Sequence, residues 1–236
     1  MRTVFVDCRW ELGAPARGRE LYLEAHIPGA AFLDVEADLS DLSVENAGRH
    51  PLPTADRFAA AAGRAGIGAG TLVVAYGSLG GAERLWWLLR HFGHDDCGVL
   101  LGGLAAWGGA LRGGEETIEP AEFVPHARTD DTIEAGEIAR RLGDRTLLLV
   151  DARTPNRWRG EENPIDDPPG RIPGARNAPW ADPLPELPEG ELVAYCGSGV
   201  TACVPLHRAW LEGRDGRLYP GSWSEWSQRG LPLERG

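Results

Sequence analysis

"LVAYCGSGVTACVPL", residues 192–206, decides how the rest of the chain is read. Leu192 to Tyr195 is an apolar run of the length of a short buried strand. A turn of small residues follows, and Thr201 to Leu211 then carries a helical pattern. Cys196 therefore falls where a strand ends and a helix begins. In open α/β sheets that is the edge at which ligands are held. If Gly197 and Gly199 let the backbone turn inward, the N–H groups of residues 197–202 form a cradle for the Cys196 sulfur. Such a cradle, backed by a helix N-terminus, favours the thiolate.

The same pattern occurs twice in the chain. "VVAYGS" at 73–78 parallels "LVAYCGS" at 192–198, and "VDCR" at 6–9 parallels "VDAR" at 150–153. "HIPGA" at 26–30 returns as "RIPGA" at 171–175, and "GGLAAW" ending at Trp107 returns as "PGSWSEW" ending at Trp226. Tyr76 to Trp107 and Tyr195 to Trp226 are both 31 positions, and Asp7 to Ile27 is 20 against 21 for Asp151 to Ile172. Equal spacings of matched motifs point to duplication. The first half carries a 26-residue excess around 31–70, which includes a helix over 54–65 with Thr54 as its N-cap.

Short β-rich runs are expected at 3–7, 72–76, 98–101, 147–151, 191–195 and 216–219, alternating with helices at 81–92, 133–142 and 201–211. This alternation predicts α/β domains, each a mainly parallel sheet flanked by helices. The expected organisation is an N-terminal domain over 1–112, a linker over 113–131 and a C-terminal domain over 132–236. The second half has a helix before its VDAR strand, whereas the first begins almost at VDCR. The first domain is thus expected either to be trimmed or to start upstream of Met1.

Composition narrows the function. A formal net charge of −11 argues against nucleic acid and anionic lipid as partners. No apolar run approaches a membrane span, and the N-terminus lacks a signal-peptide layout. Four cysteines without a CxxC pair suggest reduced thiols, and a cytoplasmic location is expected. An anionic substrate would need arginines concentrated locally against the overall field.

A thiolate in an anion-binding nest attacks phosphorus or sulfur. Cysteine phosphatases need Cys-x5-Arg, and here that position is Ala202. Phosphate chemistry is disfavoured, and a loop this tight suits a single sulfur bound to the cysteine. The tandem halves, "DAR" before "GRIPGARNAPW", and the "CGSGVT" loop together resemble the two-domain rhodanese sulfurtransferases over nearly the whole chain. Within that family the loop is similar to that of 3-mercaptopyruvate sulfurtransferases. Thiosulfate-preferring members carry positive charge after the cysteine, where this chain has Gly197 and Ser198.

The resemblance implies a ping-pong sulfurtransferase with Cys196 as nucleophile. A small anionic sulfur donor, 3-mercaptopyruvate, leaves a persulfide on Cys196, and a thiol acceptor such as thioredoxin, or cyanide, removes the outer sulfur. No metal or organic cofactor is implied. Arg157 matches the donor-carboxylate arginine, and Gly197, Gly199, Val200 and Thr201 form the loop around the sulfur. The family's second arginine, nine positions on, falls on Asp166; Arg159 and Arg171 are candidate substitutes outside the motif. Ser198, His50 and Glu36 match a proton relay, with Asp34 and Asp38 as alternative acids. The first half has Gly77 at the cysteine position, which predicts no persulfide there. Two other functions stay open at this point: a thiosulfate sulfurtransferase, and a non-catalytic persulfide-carrier module.

Overall fold

The computed structural model describes residues 1–162 and 165–236. The chain divides into two compact units, one made of Met1–Asp41 and Leu52–Arg128, the other of Leu42–Pro51 and Thr129–Gly236. The segment 42–51, which the repeat alone leaves in the first half, belongs to the second unit.

In the first unit, β1 (Arg2–Cys8), β2 (Ala31–Phe32), β3 (Thr71–Gly77) and β4 (Cys97–Val99) form a parallel sheet in the order β2-β1-β3-β4. Its helices are α1 (Arg17–Glu24), α2 (Ala55–Arg64) and α3 (Gly81–His91). The 26-residue excess holds α2, whose N-cap Thr54 accepts from the Arg57 backbone N–H. A cap of this kind stabilises a helix by about 1 kcal/mol.

The second unit repeats the plan. Its helices are α4 (Ala135–Arg140), α5 (Pro155–Arg159), α6 (Cys203–Leu211) and α7 (Ser222–Trp226). The strands β5 (Leu147–Asp151), β6 (Arg176–Asn177), β7 (Glu191–Tyr195) and β8 (Gly216–Leu218) lie in the order β6-β5-β7-β8, again all parallel. Parallel strands covered by helices on both faces read as continuous apolar runs, which is why Leu148–Val150 and Leu192–Tyr195 are buried without alternation.

The matched motifs perform matched tasks. Asp7 pairs in register with Tyr76 on β3, and Asp151 with Tyr195 on β7. The Tyr76 hydroxyl accepts from the Ile27 N–H at 3.2 Å, and the Tyr195 hydroxyl accepts from Ile172 N–H at 3.1 Å. Each Ile-Pro-Gly turn is thereby fastened to the central strand of its own sheet. Asp7 holds Arg9 and Asp151 holds Arg153, both at 2.6 Å, so the VDxR motif is a strand-end ion pair. Two residues past the β5 end, Arg153 also donates to Gly170 O and lies 4.8 Å over the Trp223 ring. In the second unit the core packs Ile133, Ile138, Leu149, Ile172, Val193, Tyr195, Tyr219, Trp223 and Trp226.

Candidate active site

β7 delivers Cys196 to the carboxyl edge of the second sheet, as the strand–turn–helix pattern requires. The thiol is buried, with 1% of the residue exposed. Its sulfur accepts from the backbone N–H groups of Gly199, at 3.1 Å, and Ser198, at 3.4 Å. The cradle is narrower than the expected span of 197–202. After Gly199 the backbone closes into turns, Cys203 N–H donating to Val200 O and Val204 N–H to Thr201 O, and α6 starts at Cys203 rather than Thr201. Val200 is buried, and Thr201 is half-buried at the helix entry.

Gly199 is fixed by two requirements at once. Its φ is +88°, and a Cβ there would come within 2.5 Å of Pro220 O. Only glycine meets both without strain. On the α6 side of the loop, buried Cys203 directs its thiol at Gly199 O, 3.5 Å away.

A second loop, 219–224, braces the first. Cys196 N–H donates to Ser222 Oγ at 3.1 Å, and that hydroxyl donates to Tyr219 O. Trp223 N–H donates to Cys196 O at 2.9 Å, and Ser224 N–H to Gly197 O at 3.0 Å. Ser222 holds φ at +52°, a costly conformation for a residue with a side chain, retained where these four bonds converge. Ser224 Oγ in turn accepts from Arg49 N–H at 3.0 Å. The 42–51 segment is thus pinned to the brace, which positions both Arg49 and His50.

His50 is buried, and its Nδ1 lies 2.7 Å from Ser198 Oγ. Which of the two donates depends on the imidazole tautomer. Arg157, in α5, and Arg49 both stand over Gly197: a Cβ at that glycine would meet Arg49 Nη2 at 2.9 Å and Arg157 Nη2 at 3.0 Å. Asp166 joins them, Oδ1 to Arg49 and Oδ2 to Arg157, the latter at 3.1 Å. Burial, and then the neighbouring Arg157, bring the Arg49 guanidinium down to about 10. Burial, followed by Arg153, also lowers Arg157. Cys196 opposes both shifts, since a thiolate there favours charged guanidiniums.

The sequence reading missed Arg49 as a site residue. The candidate substitutes for the second arginine are committed elsewhere: Arg159 pairs with Glu161, and Arg171 pairs with Glu234 and stacks 4.1 Å over Trp158. Arg49, 117 positions upstream of Asp166, is the second guanidinium on that carboxylate. Its one sequence signal is that it precedes His50.

Glu36 lies in the other unit, in the turn after β2. Its N–H donates to Asp34 Oδ1, and burial, then Asp34, raises its carboxyl above the ordinary range. The alternative acids organise the same turn: Asp34 also accepts from Ala37 N–H, and Asp38 pairs with Arg64 at 2.6 Å. At the first unit's cysteine-equivalent position, a Cβ on Gly77 would meet Cys8 O at 2.8 Å and Ala82 N at 2.9 Å. The loop there is short as well, with α3 starting four positions after Gly77, against seven from Cys196 to α6. Among the described residues no group of acids, histidines and cysteines is arranged to hold a metal ion, and no helix is long and apolar enough to cross a membrane.

Comparison with known proteins agrees with this architecture. The model of the rhodanese-like domain matches residues 2–110 and again 134–229. A protein of Pseudomonas aeruginosa named provisionally as a 3-mercaptopyruvate sulfurtransferase is 43% identical, over 94% of this chain and 88% of that one. A Mycobacterium tuberculosis protein named provisionally as a thiosulfate sulfurtransferase is 38% identical, over 94% of this chain and 87% of that one. The crystal structure of SseA, a 3-mercaptopyruvate sulfurtransferase of Escherichia coli, superposes with a TM-score of 0.80 at 30% identity, covering 94% of this chain and 93% of that one. With two copies of the domain in one chain, the protein belongs to the rhodanese family, among its two-domain sulfurtransferases.

Proposed function

We propose that the chain moves a sulfane sulfur from 3-mercaptopyruvate, through a persulfide on Cys196, to a thiol or cyanide acceptor. One observation carries the reading: the Cys196 sulfur receives two backbone N–H groups beside a pair of guanidiniums. The first feature suits a sulfur that is negative before and after transfer, and the second suits a donor with an acid group.

In this reading the donor carboxylate is held at Arg157 and Arg49. The Cys196 thiolate attacks the donor's thiol sulfur, and an S–S bond forms as the donor C–S bond breaks. The electron pair of the broken bond passes into the ketone, giving the enolate of pyruvate. Protonation at carbon releases pyruvate and leaves Cys196 as a persulfide. Ser198 and His50, 2.7 Å apart, supply a path for that proton. By family resemblance alone, Glu36 is the acid of the relay. An acceptor thiolate such as that of thioredoxin then takes the outer sulfur and returns the Cys196 thiolate; cyanide takes it as thiocyanate. The first unit is non-catalytic here, since Gly77 leaves no room for a side chain.

A second donor, thiosulfate, is favoured by the name of the mycobacterial relative. Steady-state assays with both donors decide. The kcat/KM for 3-mercaptopyruvate should exceed that for thiosulfate by at least about tenfold, a preference worth about 1.4 kcal/mol. The reverse preference would replace the donor while keeping the chemistry.

A further inference from the structure

The acid nine positions after Arg157 is not idle. Asp166 is a carboxylate with 3% of its side chain exposed, set between two guanidiniums of which 27% and 19% remain exposed. Its two oxygens go one to each arginine. The Nε atoms of Arg49 and Arg157 are buried and, among the described residues, have no hydrogen-bond partner. The cluster therefore presents an anion site in which an anion belonging to the chain is already seated, with N–H donors left over.

Charge makes this consequential. Two guanidiniums and one carboxylate leave a single positive charge beside Gly197. A monoanion neutralises that cluster, whereas a dianion overfills it by one charge. Without the carboxylate the cluster would balance a dianion.

We propose that Asp166 is the specificity-determining residue of the donor site: it holds the place of the donor's acid group in the resting protein, and it selects monoanionic donors over dianionic ones. The inference rests on reading the Cys196 site as the place where an anionic sulfur donor is held. It explains why an acid is present where a cation would bind anions more strongly. Affinity for dianions is traded for discrimination against them.

The test begins without turnover. Binding of pyruvate, a monoanion, and inorganic sulfate, a dianion, is measured by calorimetry on the full chain and on Asp166→Asn, Asp166→Glu and the Arg49→Met/Asp166→Asn pair. A unit charge about 6 Å away, at an effective dielectric of about 20 to 40, changes affinity by roughly tenfold or more per ligand charge. Asp166→Asn is therefore expected to tighten sulfate by about tenfold more than it tightens pyruvate. Asp166→Glu keeps the charge and should keep the wild-type ratio. The pair restores a single positive charge and should return the ratio toward wild type. In turnover, Asp166→Asn should raise the thiosulfate to 3-mercaptopyruvate ratio of kcat/KM by a similar factor.

A merely structural Asp166 would give a different signature. Asp166→Asn would weaken both anions alike, leave their ratio unchanged and lower the melting temperature; that result overturns the proposal. An unchanged sulfate affinity in Asp166→Asn overturns it too. If the shift in sulfate affinity is seen while neither donor loads the wild-type chain, the donor reading fails and the assignment of Asp166 as the charge selector stands.

Discussion

Gly197 and Gly199 flank Ser198 in one loop, yet alanine at the two positions should fail in opposite ways. At Gly199 the φ of +88° costs an alanine about 1–2 kcal/mol, as for any L side chain in the left-handed region. The added Cβ would also sit 2.5 Å from Pro220 O, a backbone atom that cannot swing aside. Relief requires moving the 219–224 brace, on which Ser222 and Trp223 hold the Cys196 backbone. With overpacking of about 1–3 kcal/mol added, Gly199→Ala should lose about 3 kcal/mol in total. For a unit of this size that lowers the melting temperature by about 10 °C. The sulfur cradle goes with it, so kcat falls as well.

At Gly197 the φ is ordinary, and the Cβ would meet only the far ends of Arg49 and Arg157, at 2.9 and 3.0 Å. Flexible side-chain ends can move by a few tenths of an ångström, so the fold should lose under about 0.5 kcal/mol. The guanidiniums would be displaced from a donor carboxylate, raising KM by about five- to tenfold with kcat near wild type. Scanning calorimetry and initial-rate kinetics on both variants decide. Equal loss of melting temperature in the two, or an unchanged KM in Gly197→Ala, would show that the two glycines do not have these separate roles.

Other expectations follow from the same geometry. Ser198→Ala removes the hydroxyl 2.7 Å from His50 and should lower kcat with 3-mercaptopyruvate by about 10²-fold, while circular dichroism stays unchanged. Tyr195→Phe strips the buried Ile172 N–H of its acceptor and should cost about 1–3 kcal/mol in urea unfolding, as should Tyr76→Phe for Ile27 in the other unit. Burial in α6, and then Arg208, lower His207 to about 4, below the ordinary 6.5. The unfolded chain therefore takes up this proton first on acidification, so stability held above pH 6.5 is lost as pH falls toward 4. His207→Gln should remove about 2 kcal/mol of the stability change between pH 7 and pH 4. An identical pH slope in wild type and His207→Gln, measured by denaturant unfolding, would count against that assignment.

The parts of the fold that could be read directly were those where local pattern and burial agree. β1, β3, β5 and β7 are the central strands of their sheets, and each was visible as a mainly apolar run. β2 and β6 have two residues each, too short for any periodicity to register, and they follow the Ile-Pro-Gly turns that hide them. α5 and α7 are single turns rich in arginine or tryptophan and serine, and their helicity comes from packing rather than propensity. At the site, Cys196 was legible because a thiol between an apolar run and a glycine turn has few other uses. Arg49 was not, because its role depends on 42–51 joining the second unit and on a carboxylate 117 positions away. Asp166 read as a missing arginine; in space it is the bridge between two that are present. The brace at Ser222 was equally hidden, since nothing local marks a serine that must hold a positive φ.

The most direct measurement is the intact mass of the chain after exposure to 3-mercaptopyruvate, without acceptor, beside a Cys196→Ser control. Persulfide formation at Cys196 adds one sulfur, about 32 Da, to the wild-type chain with release of one equivalent of pyruvate, adds nothing to the control, and is reversed when a thiol acceptor follows. Sulfur added to the control as readily as to the wild type, or pyruvate released with no mass gained at Cys196, would contradict it.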